Sequence, residues 1–348
     1  MRIVLVCRGY PTHRPGGMLF VCADRAEELA RLGHEVHVFT TGNGEAYYQP
    51  DRLNGVLVHH LNCRPMEYGD AFANECLLGV LSLSPDILHF DSFDRARPWW
   101  KGVTGCVKSV TMHGFGLGAF LTNWNLRRVA GGPCVEFDNQ SIAAEADALA
   151  TFDRVFAISL HEQTLLEDCY GLRNVRLLYN PIPRYFFDRP RVDPPENRRF
   201  LCAAISGQNT RLFHVALEAA KLAGVELVVA NSVSRERMPE LYDSCTGVVV
   251  PTAYAQGFDL TIAEAFARDR SAIVSATGSY YRESRHAPIW PGAMVPVGDV
   301  ESLARAMRGP LVRPSELAGD PFGGYGLAGR HHPTWHAKAW LDMLTEGK

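Results

Sequence analysis

The chain alternates short, wholly apolar runs with longer stretches whose apolar residues recur at helical spacing. Ile3–Cys7 is the first such run, and unbroken hydrophobicity marks a strand covered on both faces. A Gly- and Pro-rich segment, Gly9–Gly17, leads into a helix over about Met18–Leu32. Leu29 and Leu32 fall on one face of that helix, with Asp24, Arg25, Glu27, Glu28 and Arg31 largely on the other. Gly33 ends it and Glu35–Thr40 reads as the next strand, so the chain opens on a βαβ unit with parallel strands. Gly55–His60, Ile87–Phe90, Lys108–Met112, Arg154–Ile158 and Val175–Tyr179 continue the strand series. Asn180-Pro181-Ile182-Pro183 then interrupts it, because closely spaced prolines fit neither a helix interior nor a central strand. More prolines follow up to Arg199, which sets the domain boundary within Asn180–Arg199 and divides the chain into 1–182 and 183–330.

Beyond the boundary the alternation restarts. Phe200–Ile205, Glu226–Ala230, Gly247–Val250 and Ala272–Ser275 read as strands; Leu212–Leu222, Met238–Ser244, Ile262–Ala267 and finally Trp335–Leu344 read as helices. The reading is α/β, with two consecutive doubly wound, Rossmann-like domains. Ligands of such sheets bind beyond the carboxyl ends of the strands. That rule singles out the segments Gly9–Gly17, His113–Gly118, Ser206–Arg211, Thr252–Thr261 and Thr277–Glu283.

Composition adjusts this picture modestly. At about 150 residues per domain, 348 residues make two domains. The balance of 35 Lys+Arg against 38 Asp+Glu, a net −3, argues against a protein built mainly to hold a nucleic-acid backbone. Nine cysteines with no CxxC pair fit reduced, buried thiols better than a disulfide framework. The first apolar run is halted by Arg8, too soon for a signal-peptide core, and no run approaches the ~18 apolar residues of a membrane span. The expectation is a soluble, cytoplasmic monomer or homodimer with no stable membrane or nucleic-acid partner. Walker, GxGxxG and GxSxG elements are missing from the sequence, which weakens ATPase, NAD-enzyme and serine-hydrolase readings.

The chemistry concentrates in Gln256-Gly257-Phe258-Asp259-Leu260-Thr261-Ile262-Ala263-Glu264, between a strand and a helix. Gly257 permits close backbone approach, Leu260 and Thr261 offer N–H groups at a helix N-terminus that attracts phosphate, and Glu264 can aim a carboxylate at a diol such as a ribose. Taken alone, the segment is equally an ordinary turn with a solvated Glu.

The stretch VVVPTAYAQGFDLTIAEAFARDRSAIVSATGSYYRES resembles the C-terminal signature of GT-B retaining glycosyltransferases of the family 4 type. The opening MRIVLVCRGYPTHRPGGM, then SPDILHFDS, SVTMHGF, DRVFAISLHEQTLL, VRLLYNPIP, MVPVGDVESLARAMR and HHPTWHAKAWLDML are similar to that family's other landmarks, in order along nearly the whole chain. The resemblance implies a GT-B fold whose C-terminal helix, 331–348, crosses back to the first domain. It also implies metal-independent transfer of a sugar from a nucleotide-sugar, with retention, and no cofactor beyond the donor, for which uridine is the default base. Residue by residue, it implies that Glu264 holds the ribose. Gly257, Phe258, Asp259, Leu260 and Thr261 would line the sugar and diphosphate, Gly16 and Gly17 approach them from the first domain, and His113 lies beside the transferred sugar. Glu283 matches an acidic position of varied role, with a solvated loop Glu as the plain alternative.

Three departures, at four positions, stand out. Gln256 replaces the first acid of the usual Glu-x7-Glu pair, Ser206 replaces a phosphate-binding Arg, and Arg211 takes the place of a Lys, as a planar bidentate cation. Asp259 occupies a usual glycine position and narrows the room beside the sugar. The acceptor stays open, a small molecule being favoured over a polymer. Its loops are expected at 47–75 and 114–145, with Trp99, Trp100, Phe120 and Trp124 as aromatic platforms or interdomain packing. The alternatives are a catalytically degenerate sugar-nucleotide binder and an epimerase or phosphorylase on the same scaffold. His59, His60, His331, His332 and His336 are read as structural or solvated, not as metal ligands. Only residues 232–237 bridge a strand and helix between which the family carries more chain, so the second domain is trimmed.

Overall fold

The computed structural model describes residues 1–11, 16–42, 50–130, 139–203, 211–230, 233–255, 257–286, 292–317 and 326–346. Strands β1 (Arg2–Val6), β2 (Glu35–Thr40), β3 (Asp51–Leu53), β4 (Val56–His60), β5 (Ile87–Phe90), β6 (Val107–Met112), β7 (Arg154–Ala157) and β8 (Val175–Leu177) form one sheet in the order β3-β4-β2-β1-β5-β6-β7-β8. All its pairs are parallel except β3 with β4. Strands β9 (Arg199–Cys202), β10 (Glu226–Val229), β11 (Gly247–Val250), β12 (Ser271–Ser275) and β13 (Gly292–Val295) form a second, wholly parallel sheet, β10-β9-β11-β12-β13.

Around the first sheet lie α1 (Gly17–Arg31), α2 (Asp70–Leu83), α3 (Gly116–Ala130), α4 (Asn139–Leu149) and α5 (Leu160–Thr164); the short α6 (Tyr185–Asp188) leads out of it. The second carries α7 (Phe213–Ala223), α8 (Met238–Asp243), α9 (Leu260–Ala267), α10 (Gly278–His286) and α11 (Val300–Arg308). The last helix, α12 (Pro333–Thr345), packs on α1. Its Ala337, Trp340 and Leu344 share an apolar cluster with Ile3, Leu5, Cys22 and Leu29. The chain is therefore two Rossmann-like domains whose C-terminal helix completes the core of the first.

That helix corrects one expectation. Arg25 and Glu28, read on the solvated face of α1, are buried (1% and 5% exposed), because α12 packs beside α1 and Arg25 reaches His89 and Thr111 of the sheet as well as His336 of α12. Both charges are answered. Glu28 accepts from Arg31, Arg184 and Thr334; burial pushes its carboxyl up, but these hydrogen bonds win and bring it down to about 2.

Two further differences concern helices that the pattern hides. The expected acceptor loops hold β3, α2 and α3, because α2 exposes Leu78 and Leu81 and so blurs its periodicity. The expected loop Thr277–Glu283 is mostly α10, formed from poor helix formers but packed on α5, where a Cβ on Gly278 would come within 2.6 Å of the His161 ring. Among the described residues no helix is long and apolar enough to cross a membrane.

Candidate functional site

At the carboxyl end of the first sheet, the chain past β5 and β6 presents Asp91 and His113 to a cleft of about 650 Å³, shared with Arg8, Tyr68, Phe93 and Glu145. Beneath its floor lies a polar network without solvent access. The Arg25 guanidinium contacts the Asp91 carboxylate, and donates to His89 Nε2 at 2.7 Å, Thr111 Oγ1 at 3.2 Å and His336 Nε2 at 3.1 Å. Since Arg only donates, both histidines accept at Nε2 and carry their proton on Nδ1. His89 passes it to Ser109 Oγ at 2.8 Å, and His336 to the Tyr179 carbonyl at 2.9 Å. Burial, aided by the Arg25 charge, pushes His89 down to about 4 and His336 well below the usual imidazole range. Burial pushes Asp91 the other way, but the Arg25 charge outweighs it and keeps the carboxylate ionised, well below its ordinary range. His113 Nε2 lies 3.3 Å from Asp91 Oδ1. An anion that cannot take the proton thus fixes the ring that faces the cleft.

The second domain contributes the segment after β11. Gly257 adopts φ +75°, the left-handed region that favours glycine, and a Cβ there would also press to 3.4 Å from Ile158. Asp259 caps α9, its Oδ1 accepting from Thr261 N at 3.0 Å, while its other oxygen contacts Arg211. Thr261 N–H is therefore not free, contrary to the expectation. One turn further, Glu264 is 8% exposed and accepts from Tyr242 Oη at 2.7 Å. Burial pushes it up to about 7, against the lowering pull of Arg235 and the Tyr242 hydroxyl.

Contacts between the domains bring these pieces together. A Cβ on Gly17 would sit 4.0 Å from Leu260, so the starts of α1 and α9 face one another. α1 begins after Gly16 with no side-chain cap. Asp24 of α1 takes Arg235 in a bidentate pair at 3.0 and 2.8 Å, with the guanidinium 4.4 Å over the Phe20 ring. Arg235 lies in the shortened bridge. Ala255 N donates to Thr122 of α3 at 3.1 Å, and Tyr254 Oη lies 3.5 Å from the His113 carbonyl. Glu283 is 2% exposed in α10, where it accepts from Leu160 N at 2.8 Å and Tyr179 Oη at 2.7 Å of the first domain. The solvated-loop alternative for Glu283 thus fails; its carboxylate is spent on the domain junction. Glu162, near the Gly257 loop, is wholly buried and pushed by burial up to about 8.

Of the residues singled out from the sequence, the structure joins Gly17 to Leu260 and Asp259 to Arg211 and Thr261, sets Glu264 buried against Tyr242, and places His113 with Asp91 on the first-domain cleft. Ser206 and Gln256 lie outside the described residues. Trp100 is fully buried among Phe90, Phe93 and Phe152, with Nε1 donating to Thr151, so it is a core residue and not a platform; Trp124 is half exposed on α3. His331 and His336 are buried and structural, and among the described residues no three His, Cys, Asp or Glu side chains form a metal-ligand group. Sequence reasoning missed Arg25, His89, Asp91, Asp24 and Arg235. An Asp directly after an apolar strand was the one available signal, for Asp91 alone.

The model of Glycosyltransferase Family 4 matches residues 15–184, and that of Glycosyl transferases group 1 matches residues 191–311. No curated protein matches the sequence. Among solved structures, the chain is similar to sucrose-phosphate synthase from Thermosynechococcus elongatus, at 16% identity and a TM-score of 0.71, covering 99% of this chain and 96% of that one. A glycosyltransferase from Rickettsia africae follows at 13% identity and 0.68, covering 100% and 99%. Anabaena HepE in complex with UDP and glucose gives 11% and 0.64, covering 99% of each chain. At these identities the structural likeness is one of fold.

Proposed function

We propose, from the premise that this chain belongs to the GT-B-fold glycosyltransferases related to family 4 and group 1, that it transfers a sugar from a nucleoside-diphosphate sugar to a hydroxyl of a small acceptor with retention at the anomeric carbon. The observation that carries this reading is the close approach of the α1 and α9 starts, with Glu264 one turn inside α9. Donor binds chiefly to 183–330, its ribose on Glu264 and its diphosphate at Arg211 and the N–H groups of Leu260 and Thr261. The aligned peptide dipoles of α9 and the Arg211 charge stabilise the departing diphosphate. Gly16, Gly17 and Gly257 let backbone approach the donor, and the Phe258 N–H is assigned to the sugar. Acceptor enters the 650 Å³ cleft of 1–182, and its hydroxyl attacks on the face that the diphosphate leaves, giving up its proton to that leaving group. His113 hydrogen-bonds the transferred sugar. UDP bound to HepE, which shares the fold, supports a uridine donor.

Two measurements test this. In a thermal-shift panel of UDP-, GDP-, dTDP- and ADP-sugars, the UDP-sugars should raise the melting temperature most, as a ligand of the folded state does. Proton NMR of the first product should show the donor's anomeric configuration; an inverted product would sink the same-face mechanism.

Glu264 adds a pH signature. A carboxyl at about 7 is largely protonated below that value, whereas two ribose hydroxyls donate best to the ionised form. Nucleotide affinity should therefore rise about tenfold between about pH 6 and about pH 8 and then level off. Glu264→Gln, neutral throughout, should lose that part of the rise. Isothermal titration with UDP across the range reads both.

A further inference from the structure

We infer that Asp259 is the residue that sets this protein's affinity for its donor, because its carboxylate sits in the seat that the donor's diphosphate must take. The inference rests on the nucleotide-sugar reading above and deepens it. That reading gives the diphosphate two principal holders, the Arg211 guanidinium and the N–H groups at the start of α9. In the structure one carboxylate engages both: Asp259 Oδ1 accepts from Thr261 N at 3.0 Å, and Oδ2 contacts Arg211 Nη1. A carboxylate bridging a guanidinium and a helix N-terminus reproduces, within the chain, the interactions of a bound phosphate. The Asp259 side chain is only 8% exposed, so water weakens the contact little. The backbone is extended at Asp259, φ −71° and ψ 125°, as for any N-cap residue, so the side chain is aimed at Thr261 by ordinary capping geometry.

An incoming diphosphate meets this carboxylate as a competitor. It must take Arg211 away from Asp259, and it brings like charge to a group that has nowhere solvated to go. The consequence is a donor site held shut to loosely bound anions. Donor affinity must draw on ribose, base and sugar contacts to displace the internal anion.

The test compares wild type with Asp259→Asn and Asp259→Ser by isothermal titration. Both substitutes keep a side-chain oxygen for the Thr261 N–H and so keep the cap, while removing the charge; thermal melts establish that each is folded. The probes are UDP, inorganic pyrophosphate and uridine. We expect UDP and pyrophosphate to bind both variants at least tenfold more tightly than wild type, with uridine affinity unchanged. Equal or weaker UDP binding by both variants overturns the inference while leaving the glycosyltransferase reading intact. A gain that extends equally to uridine also overturns it, since it would report a looser cleft and not a vacated phosphate seat. If none of UDP, GDP, ADP or dTDP binds wild type or variants, the nucleotide-sugar reading itself fails, and the inference with it.

Discussion

Exchanging Arg25 for methionine should cost the protein about 3–5 kcal/mol of folding stability, read from urea denaturation at neutral pH. The size follows from what is left behind. Asp91, 1% exposed, would keep contacts such as that with His113 but lose its guanidinium, and a buried carboxylate without its cation is among the costliest groups a fold can hold. The variant would answer by protonating Asp91, so its deficit relative to wild type should shrink as the pH falls towards about 5. The direction follows from linkage: wild-type Asp91 has a depressed pKa and loses stability on acidification, whereas in the variant the raised carboxyl gains by it. Arg25→Met combined with Asp91→Leu should recover most of the loss, because an apolar pair of similar volume needs no desolvation of charge. A single variant as stable as wild type would mean that the network contributes nothing to the fold.

Removing the His113 ring should be the largest single loss of turnover. His113→Ala is expected to lower kcat about 10²–10³-fold, the range for deleting one preorganised hydrogen-bond partner of a transition state. UDP should bind the variant as it binds wild type, because the ring lies on the first-domain wall while the nucleotide holders are in the second domain. The assay is release of UDP from UDP-glucose, with titration of UDP alongside. A change below about threefold in kcat would remove His113 from the reaction.

What the sequence made legible was whatever rests on local pattern. The buried strands announced themselves as apolar runs, and Gly257 through Glu264 stood out because a glycine, the start of a helix and a carboxylate follow one another within eight residues. The residues that hold the cleft together obey no local rule. Arg25 lies 66 positions from Asp91 and 311 from His336, and only the sheet order and the returning α12 join them. The face of α1 that carries Arg25 has the polar composition of a solvated surface, and nothing within the helix reveals that Arg25 lies between the sheet and α12. Arg235 illustrates the same point at the shortened bridge. The deletion could be counted, but that it delivers a guanidinium to Asp24 required the domain junction. Helix α10 was obscured differently, since Gly-Ser-Tyr-Tyr reads as a turn until α5 is there to pack against.

The place of α12 also bears on how the molecule comes to exist. A ribosome makes chains from the N-terminus, and domains usually fold in the order in which they emerge. Here the first sheet appears early, yet Trp340, Ala337 and Leu344, which fill the cluster against Ile3 and Leu5, are made only after the whole second sheet. Through most of synthesis, then, the first domain presents an open apolar groove along α1 and β1, and Arg25 lacks its contact with His336. The second domain, whose sheet is complete by Val295, can reach its full core while the older one still waits. The order of birth and the order of completion are reversed, and the first domain needs shielding along α1 until α12 arrives.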